Sequence, residues 1–174
     1  MIDEESTKEE VLEAVKIDGI QLDLASDEFK ADREIVLEAV KQDGYSLKYA
    51  SEALKADREV VLEAVKQGGA LQFASEALKD DREVVLEAVK IDGWALQYAS
   101  EKLRGDGEIV LEAVKQEGCA LEFASEALKD DLEVVKQNPL MLVHAIEELR
   151  NMRENIMAGL GGEKSFCSIC RRNK

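Results

Sequence analysis

The hydrophobic and polar positions of this chain follow one pattern that recurs every 25 residues, or 24 residues in one case. Over residues 57–66 the pattern reads Asp-Arg-Glu-Val-Val-Leu-Glu-Ala-Val-Lys. Placed on a helix at about 100° per residue, its apolar side chains fill an arc of about 200°. Such an arc is broader than the stripe of a surface helix, which predicts a helix packed between two neighbours. Close copies lie at 32–41 and 81–90, and looser ones at 7–16 and 106–115.

A second block follows each copy of the first. Residues 49–55, Tyr-Ala-Ser-Glu-Ala-Leu-Lys, have counterparts at 73–79, 98–104, 123–129 and 24–30. We predict that this block forms a second, shorter helix. In the alternative, Ser51 and its equivalents end one short helix and cap another. Because only one or two residues precede the next copy, successive helices are expected to be antiparallel neighbours joined by tight turns.

Local signals mark the ends of the first helix. Asp57 and its equivalents are predicted N-caps, and Thr7 with Glu10 has the spacing of a capping box. A glycine follows the lysine of each copy by two or three residues, and we expect it to end the helix in the left-handed conformation. These glycines are Gly19, Gly44, Gly68 or Gly69, Gly93 and Gly118.

A single unit of this kind cannot bury its own apolar face, so the units are expected to stack. The sequence therefore predicts an all-α fold, in which two-helix repeats of about 25 residues form an α-solenoid. We assign five repeats to residues 1–138, and a long amphipathic helix to 139–160, starting at Asn138-Pro139. We expect this helix to cap the array, leaving a monomer, or alternatively to join two chains as a homodimer. Residues 161–174 are expected to be a disordered basic tail.

The charge of the chain limits its partners. It has 23 basic and 38 acidic residues, a net charge of −15. This balance argues against a nucleic acid or an anionic membrane as partner, because both attract clustered lysine and arginine. No apolar run approaches the roughly 20 residues that span a bilayer, and the first residues do not resemble a secretory signal. Three cysteines cannot all pair within one chain, so we expect a reducing, cytoplasmic location.

Candidate chemistry is sparse. The sole histidine, His144, has no accompanying nucleophile, and the recurring glutamates share a polar stripe with lysines, as on a solvated face. We therefore expect a non-enzymatic protein without a cofactor. An alternative comes from Cys167-Ser168-Ile169-Cys170, whose spacing provides half of a zinc site. Cys167 and Cys170 could then bind zinc between two chains.

Two positions vary where the rest of the repeat is constant. One follows the glycine and holds Tyr45 or Trp94, and the other, three residues later, holds Lys48 or Gln97. Positions three apart share a helix face, and exposed aromatic residues are typical of interaction hot spots. We therefore predict that these four residues form a protein-binding ridge. In the alternative, the two rings fold back over the preceding helix and serve only the fold.

The repeat pattern also resembles a known family. Asp-Arg-Glu-Val-Val-Leu-Glu-Ala-Val-Lys, followed by glycine and then Leu-x-Tyr-Ala-Ser-Glu-x-Leu-Lys, is similar to the repeats catalogued as domain of unknown function 4116. The resemblance covers about residues 7–135 and departs from the pattern at 7–10, Gly107 and Leu132. It implies tandem helical repeats with degenerate end copies, and it implies no assigned activity or site residues.

Overall fold

The computed structural model describes residues 6–129, in which every regular element is helical. Each repeat contributes one long α-helix, one 3₁₀ segment and one four-residue α-helix. The long helices are α1 (Lys8–Ile17), α3 (Arg33–Gln42), α5 (Arg58–Lys66), α7 (Arg82–Ile91) and α9 (Gly107–Gln116). The short helices are α2 (Asp27–Lys30), α4 (Glu52–Lys55), α6 (Glu76–Lys79), α8 (Glu101–Arg104) and α10 (Glu126–Lys129). The 3₁₀ segments are Gly19–Leu24, Gly44–Tyr49, Leu71–Phe73, Gly93–Tyr98 and Gly118–Phe123.

The long helices contact one another in sequence order, and the 3₁₀ segments pack beside them as a second layer. The apolar arc is buried as expected: in α7, Val84, Val85, Ala88 and Val89 all lie in the core. Such burial over a wide arc is possible because each internal long helix has a neighbour on both sides. The all-α repeat solenoid is thereby confirmed.

The second block is divided, so the prediction of one continuous helix was wrong. As in the alternative, Ser51 lies between two short segments at the N-cap position of α4, but its hydroxyl makes no capping hydrogen bond. Ala50 and Ser51 are extended, with ψ near 155° at both, and α4 begins directly after them. The break has a physical reason: the Ser51 amide donates to the Lys30 carbonyl oxygen of the preceding repeat, 2.9 Å away. Within a continuous helix this amide would be used internally. The same bond recurs at Ser75–Lys55, Ser100–Lys79 and Ser125–Arg104.

The glycines after the long helices also differ from expectation. Among the described residues only Gly68 and Gly69 have positive φ, so the left-handed prediction was wrong for Gly19, Gly44, Gly93 and Gly118. Before Gly19, Gly44 and Gly93 an extended aspartate ends the helix, and its carboxylate accepts from the second amide after it. The glycine is needed for proximity: a Cβ at Gly44 would overlap the Ala64 carbonyl oxygen of the next repeat.

Several predictions lie outside the described residues. The helix at 139–160, His144, the tail at 161–174 and the Cys167/Cys170 pair belong to this part of the chain. In the part that the structure describes, no helix has the length and apolarity needed to cross a membrane.

Candidate functional site

Consecutive repeats are joined by a ladder of ion pairs where the long helices begin, which we call the cap end. Arg33 Nε lies 3.0 Å from Asp57 Oδ2 of the next repeat, and Arg33 Nη2 pairs with Glu59. The other oxygen, Asp57 Oδ1, accepts from the amides of Glu59 and Val60. One aspartate therefore caps its own helix and binds the preceding repeat. Equivalent pairs are Lys8 with Asp32 and Glu34, Arg58 with Asp81 and Glu83, and Arg82 with Asp106 and Glu108.

These contacts change the acidity of the ladder aspartates. Partial burial of Asp57 favours the neutral acid, but hydrogen bonds from Arg33 and from two backbone amides outweigh it, so the Asp57 pKa lies below its usual value. The same balance lowers the pKa of Asp32, Asp81 and Asp106. The four ladder aspartates are therefore ionised at neutral pH.

The opposite end, where the long helices finish, we call the turn end. Here an aromatic side chain of one repeat packs against an aromatic side chain of the next. The rings of Tyr45 and Phe73 are 5.8 Å apart and inclined by 69°, and those of Trp94 and Phe123 are 5.5 Å apart and inclined by 62°. Edge-to-face pairs of this geometry are favourable beyond the area they bury. The two rings thus join repeats as well as facing solvent.

The predicted ridge lies along the 3₁₀ layer. Tyr45 is 51% exposed although its ring packs on Phe73. Lys48 is exposed one 3₁₀ turn later, with Nζ 5.4 Å from the centre of the Tyr49 ring. Exposed Gln97 follows half-buried Trp94 at the same spacing, and Gln97 Nε2 donates to the Trp94 carbonyl oxygen at 3.1 Å.

Tyr45 and Lys48 thus lie in one 3₁₀ segment and Trp94 and Gln97 in another, two repeats further along the chain. Tyr45 and Trp94 each pack on an aromatic ring of the following repeat. The alternative, in which the two rings fold back over the preceding helix and serve only the fold, stays a hypothesis. A binding role for the four ridge residues stays a prediction.

Sequence reasoning missed the ladder, although a signal was present. Arginine stands next to the capping aspartate in the three central copies and is replaced by lysine in the first and by glycine in the fifth, at Gly107. It also passed over exposed apolar side chains at Ile17, Leu24 and Ile91. Leu24 occupies the register position of Phe73 and Phe123. Because Leu24 belongs to the first repeat, no earlier repeat within residues 6–129 supplies an aromatic ring to pack on it.

No group of three or more histidine, cysteine or acidic side chains in residues 6–129 is arranged to hold a metal ion. A family model described as "Domain of unknown function (DUF4116)" matches residues 7–55, 57–104, 81–129 and 106–136. No curated protein and no solved structure matches the chain.

Proposed function

The chain belongs to the DUF4116 family, whose description assigns no function, and we propose that it is a non-enzymatic cytoplasmic scaffold that binds a protein partner. The contact surface is the ridge of Tyr45, Lys48, Trp94 and Gln97. The observation that carries the proposal is that side chains vary at two register positions of an otherwise constant repeat, where Tyr45, Lys48 and Gln97 are exposed and Trp94 is half-buried. In repeat arrays the extended surface commonly does the binding while the constant residues hold the stack.

The chemistry of the ridge supports this role. Tyr45 presents a large amphipathic ring that is already held in place by Phe73, so binding would cost little side-chain entropy. Lys48 and Gln97 add a cation and a side-chain amide beside the rings. A surface with apolar centres and polar neighbours matches the anatomy of protein interfaces.

The test must separate binding from folding. Replacing Tyr45 or Trp94 would remove a contact between repeats, so Lys48→Glu with Gln97→Lys is the sharper variant. Lys16→Glu with Gln116→Lys makes the same charge changes at exposed positions outside the ridge and serves as the matched control. Both variants should retain the circular dichroism of the unaltered chain.

The intact chain, the ridge variant and the control are used for affinity capture from a lysate of the source cells, with quantitative mass spectrometry. We expect a protein retained by the intact chain and by the control but depleted at least tenfold with the ridge variant. Equal retention by all three chains would refute the ridge as the contact surface.

A further inference from the structure

The third repeat is one residue shorter than the others, and its turn has a different construction. Gln67 is followed directly by Gly68 and Gly69, without the aspartate that precedes the glycine in the first, second and fourth repeats. The two glycines have φ of 89° and 70°. The following 3₁₀ segment shrinks from six residues to three, Leu71–Phe73.

This turn fails to make the close approach seen at the other turns. At Gly19, Gly44 and Gly93 a Cβ would overlap the carbonyl oxygen of an alanine in the next long helix, whereas a Cβ at Gly68 would meet nothing within 4 Å. The equivalent alanine of the fourth repeat, Ala88, is correspondingly more exposed to solvent. Ala88 is 5% exposed, while its equivalents Ala39, Ala64 and Ala113 are 0% exposed.

The ring contact is missing at the same junction. Tyr45 reaches Phe73 across the second junction, and Trp94 reaches Phe123 across the fourth. The corresponding residue of the third repeat is Gly69, which has no side chain to reach Tyr98. The turn end between the third and fourth repeats therefore lacks the close glycine approach of the first, second and fourth junctions, and it also lacks the ring contact of the second and fourth.

The cap end of this junction is fully connected. Arg58 pairs with Asp81 and Glu83, and the Ser100 amide donates to the Lys79 carbonyl oxygen at 2.9 Å. An additional bond, from Ser100 Oγ to Asp80 Oδ1 at 2.5 Å, is present here. The same hydroxyl of Ser51 and Ser75 has no partner.

We propose that this junction is a hinge: the fourth and fifth repeats swing relative to the first three about the cap end, so that the turn end opens at Gly68–Gly69. Because Tyr45 and Trp94 lie on opposite sides of the opening, their separation would vary. The ridge would then consist of two patches with adjustable spacing. The hinge stands whether or not the ridge binds a protein, since it follows from contacts between repeats alone.

Distances between spin labels test the hinge. Nitroxides at Lys48 and Gln97 span the second and third junctions, whereas nitroxides at Asp23 and Gln72 occupy the same register positions and span the first and second. Both pairs are about 20 Å apart at helix-packing distances. Native cysteines are replaced by alanine, and circular dichroism verifies the fold.

We expect a broader distance distribution for the pair at 48 and 97 than for the control pair. Inserting an aspartate between Gln67 and Gly68 restores the 25-residue period and should narrow the distribution to that of the control. Equal widths in the two pairs, or a width unchanged by the insertion, would overturn the hinge.

Hydrogen exchange provides a second measurement on the unaltered chain. The amides of Asp43 and Asp92 make the same bond, to the carbonyl oxygens of Ala39 and Ala88, but only Ala88 faces the opening. We expect the Asp92 amide to exchange at least about tenfold faster than the Asp43 amide, because exchange reports local opening. Slower or equal exchange at Asp92 would count against the hinge.

Discussion

Ala56→Asp should stabilise the chain by transplanting a contact that it already makes once. At the third junction Ser100 Oγ donates to Asp80 at 2.5 Å, whereas at the second junction Ser75 Oγ is buried without a partner. Ala56 has the register position of Asp80, and their backbones agree, with φ of −101° and −102°. An aspartate at 56 would therefore start from the geometry in which Asp80 binds its serine.

The magnitude follows from the bond formed. A hydrogen bond to a charged group contributes about 1.5–3 kcal/mol, and the solvent exposure of position 56 argues for less, about 1 kcal/mol. In a chain of this size that raises the melting temperature by about 2–4 °C. Conversely, Asp80→Ala should lower stability by about 1 kcal/mol, because it removes the same hydrogen bond and leaves Ser100 Oγ without its acceptor.

Urea unfolding followed by circular dichroism measures these changes. A shift in the urea concentration at the midpoint, with an unchanged dependence of the free energy on urea, reports the change in stability. Ala56→Asp combined with Ser75→Ala controls for the added charge, since it keeps the aspartate and removes the donor. The gain should disappear in this double variant. If Ala56→Asp yields no gain, or if the gain survives the loss of the Ser75 hydroxyl, the reasoning fails.

Three further predictions concern glycines, a buried hydroxyl and pH. Gly44→Ala should lower the free energy of unfolding by about 1–3 kcal/mol, because its Cβ overlaps backbone oxygens of the next repeat. Gly107→Ala should raise it by about 0.5–1 kcal/mol, because the new Cβ makes only an ordinary contact, 3.8 Å from a leucine methyl group; equal effects at the two sites would contradict this account. Ser46→Ala should raise the free energy of unfolding by about 1 kcal/mol in thermal or urea unfolding, because the fully buried Ser46 hydroxyl has no hydrogen-bond partner. A loss of stability would show that this hydroxyl makes a hydrogen bond in the folded chain. Because the folded pKa of Asp57 is lowered, its contribution is present above the unfolded pKa of about 3.9 and is lost as pH falls through the folded pKa. In acid unfolding, the free energy of unfolding of the Asp57→Asn variant should therefore fall less steeply with pH below about pH 4 than that of the unaltered chain. An equally steep fall would show that the ion pair of Asp57 does not stabilise the fold.

Features set by contacts within a few residues were predictable from the sequence. The Thr7–Glu10 capping box, the aspartate caps and the wide apolar arc are of this kind, and all are present. The division at Ser51 was not, because the extended backbone there is imposed by the Lys30 carbonyl of another repeat. The need for glycine at position 44 likewise depends on the Ala64 carbonyl oxygen, which leaves no room for a Cβ and lies 20 positions further along the chain.

The candidate site shows the same limit. Because their positions vary between copies, the sequence predicts a binding role for Tyr45 and Trp94. Both rings nevertheless contact the next repeat. Comparing copies reveals which positions vary but cannot show that a side chain reaches forward into the next unit. The shorter third turn was visible in the sequence, whereas the gap it leaves beside Ala88 depends on how two repeats pack.

The ladder at the cap end makes the repeats interchangeable. Each central copy supplies the arginine for the junction that follows it and the two carboxylates for the junction that precedes it. Any copy that begins Asp-Arg-Glu can therefore stand between two others that begin in the same way and leave the ion pairs of both junctions complete. An array built in this way can gain or lose whole units by duplication or deletion of a gene segment without a new interface having to arise.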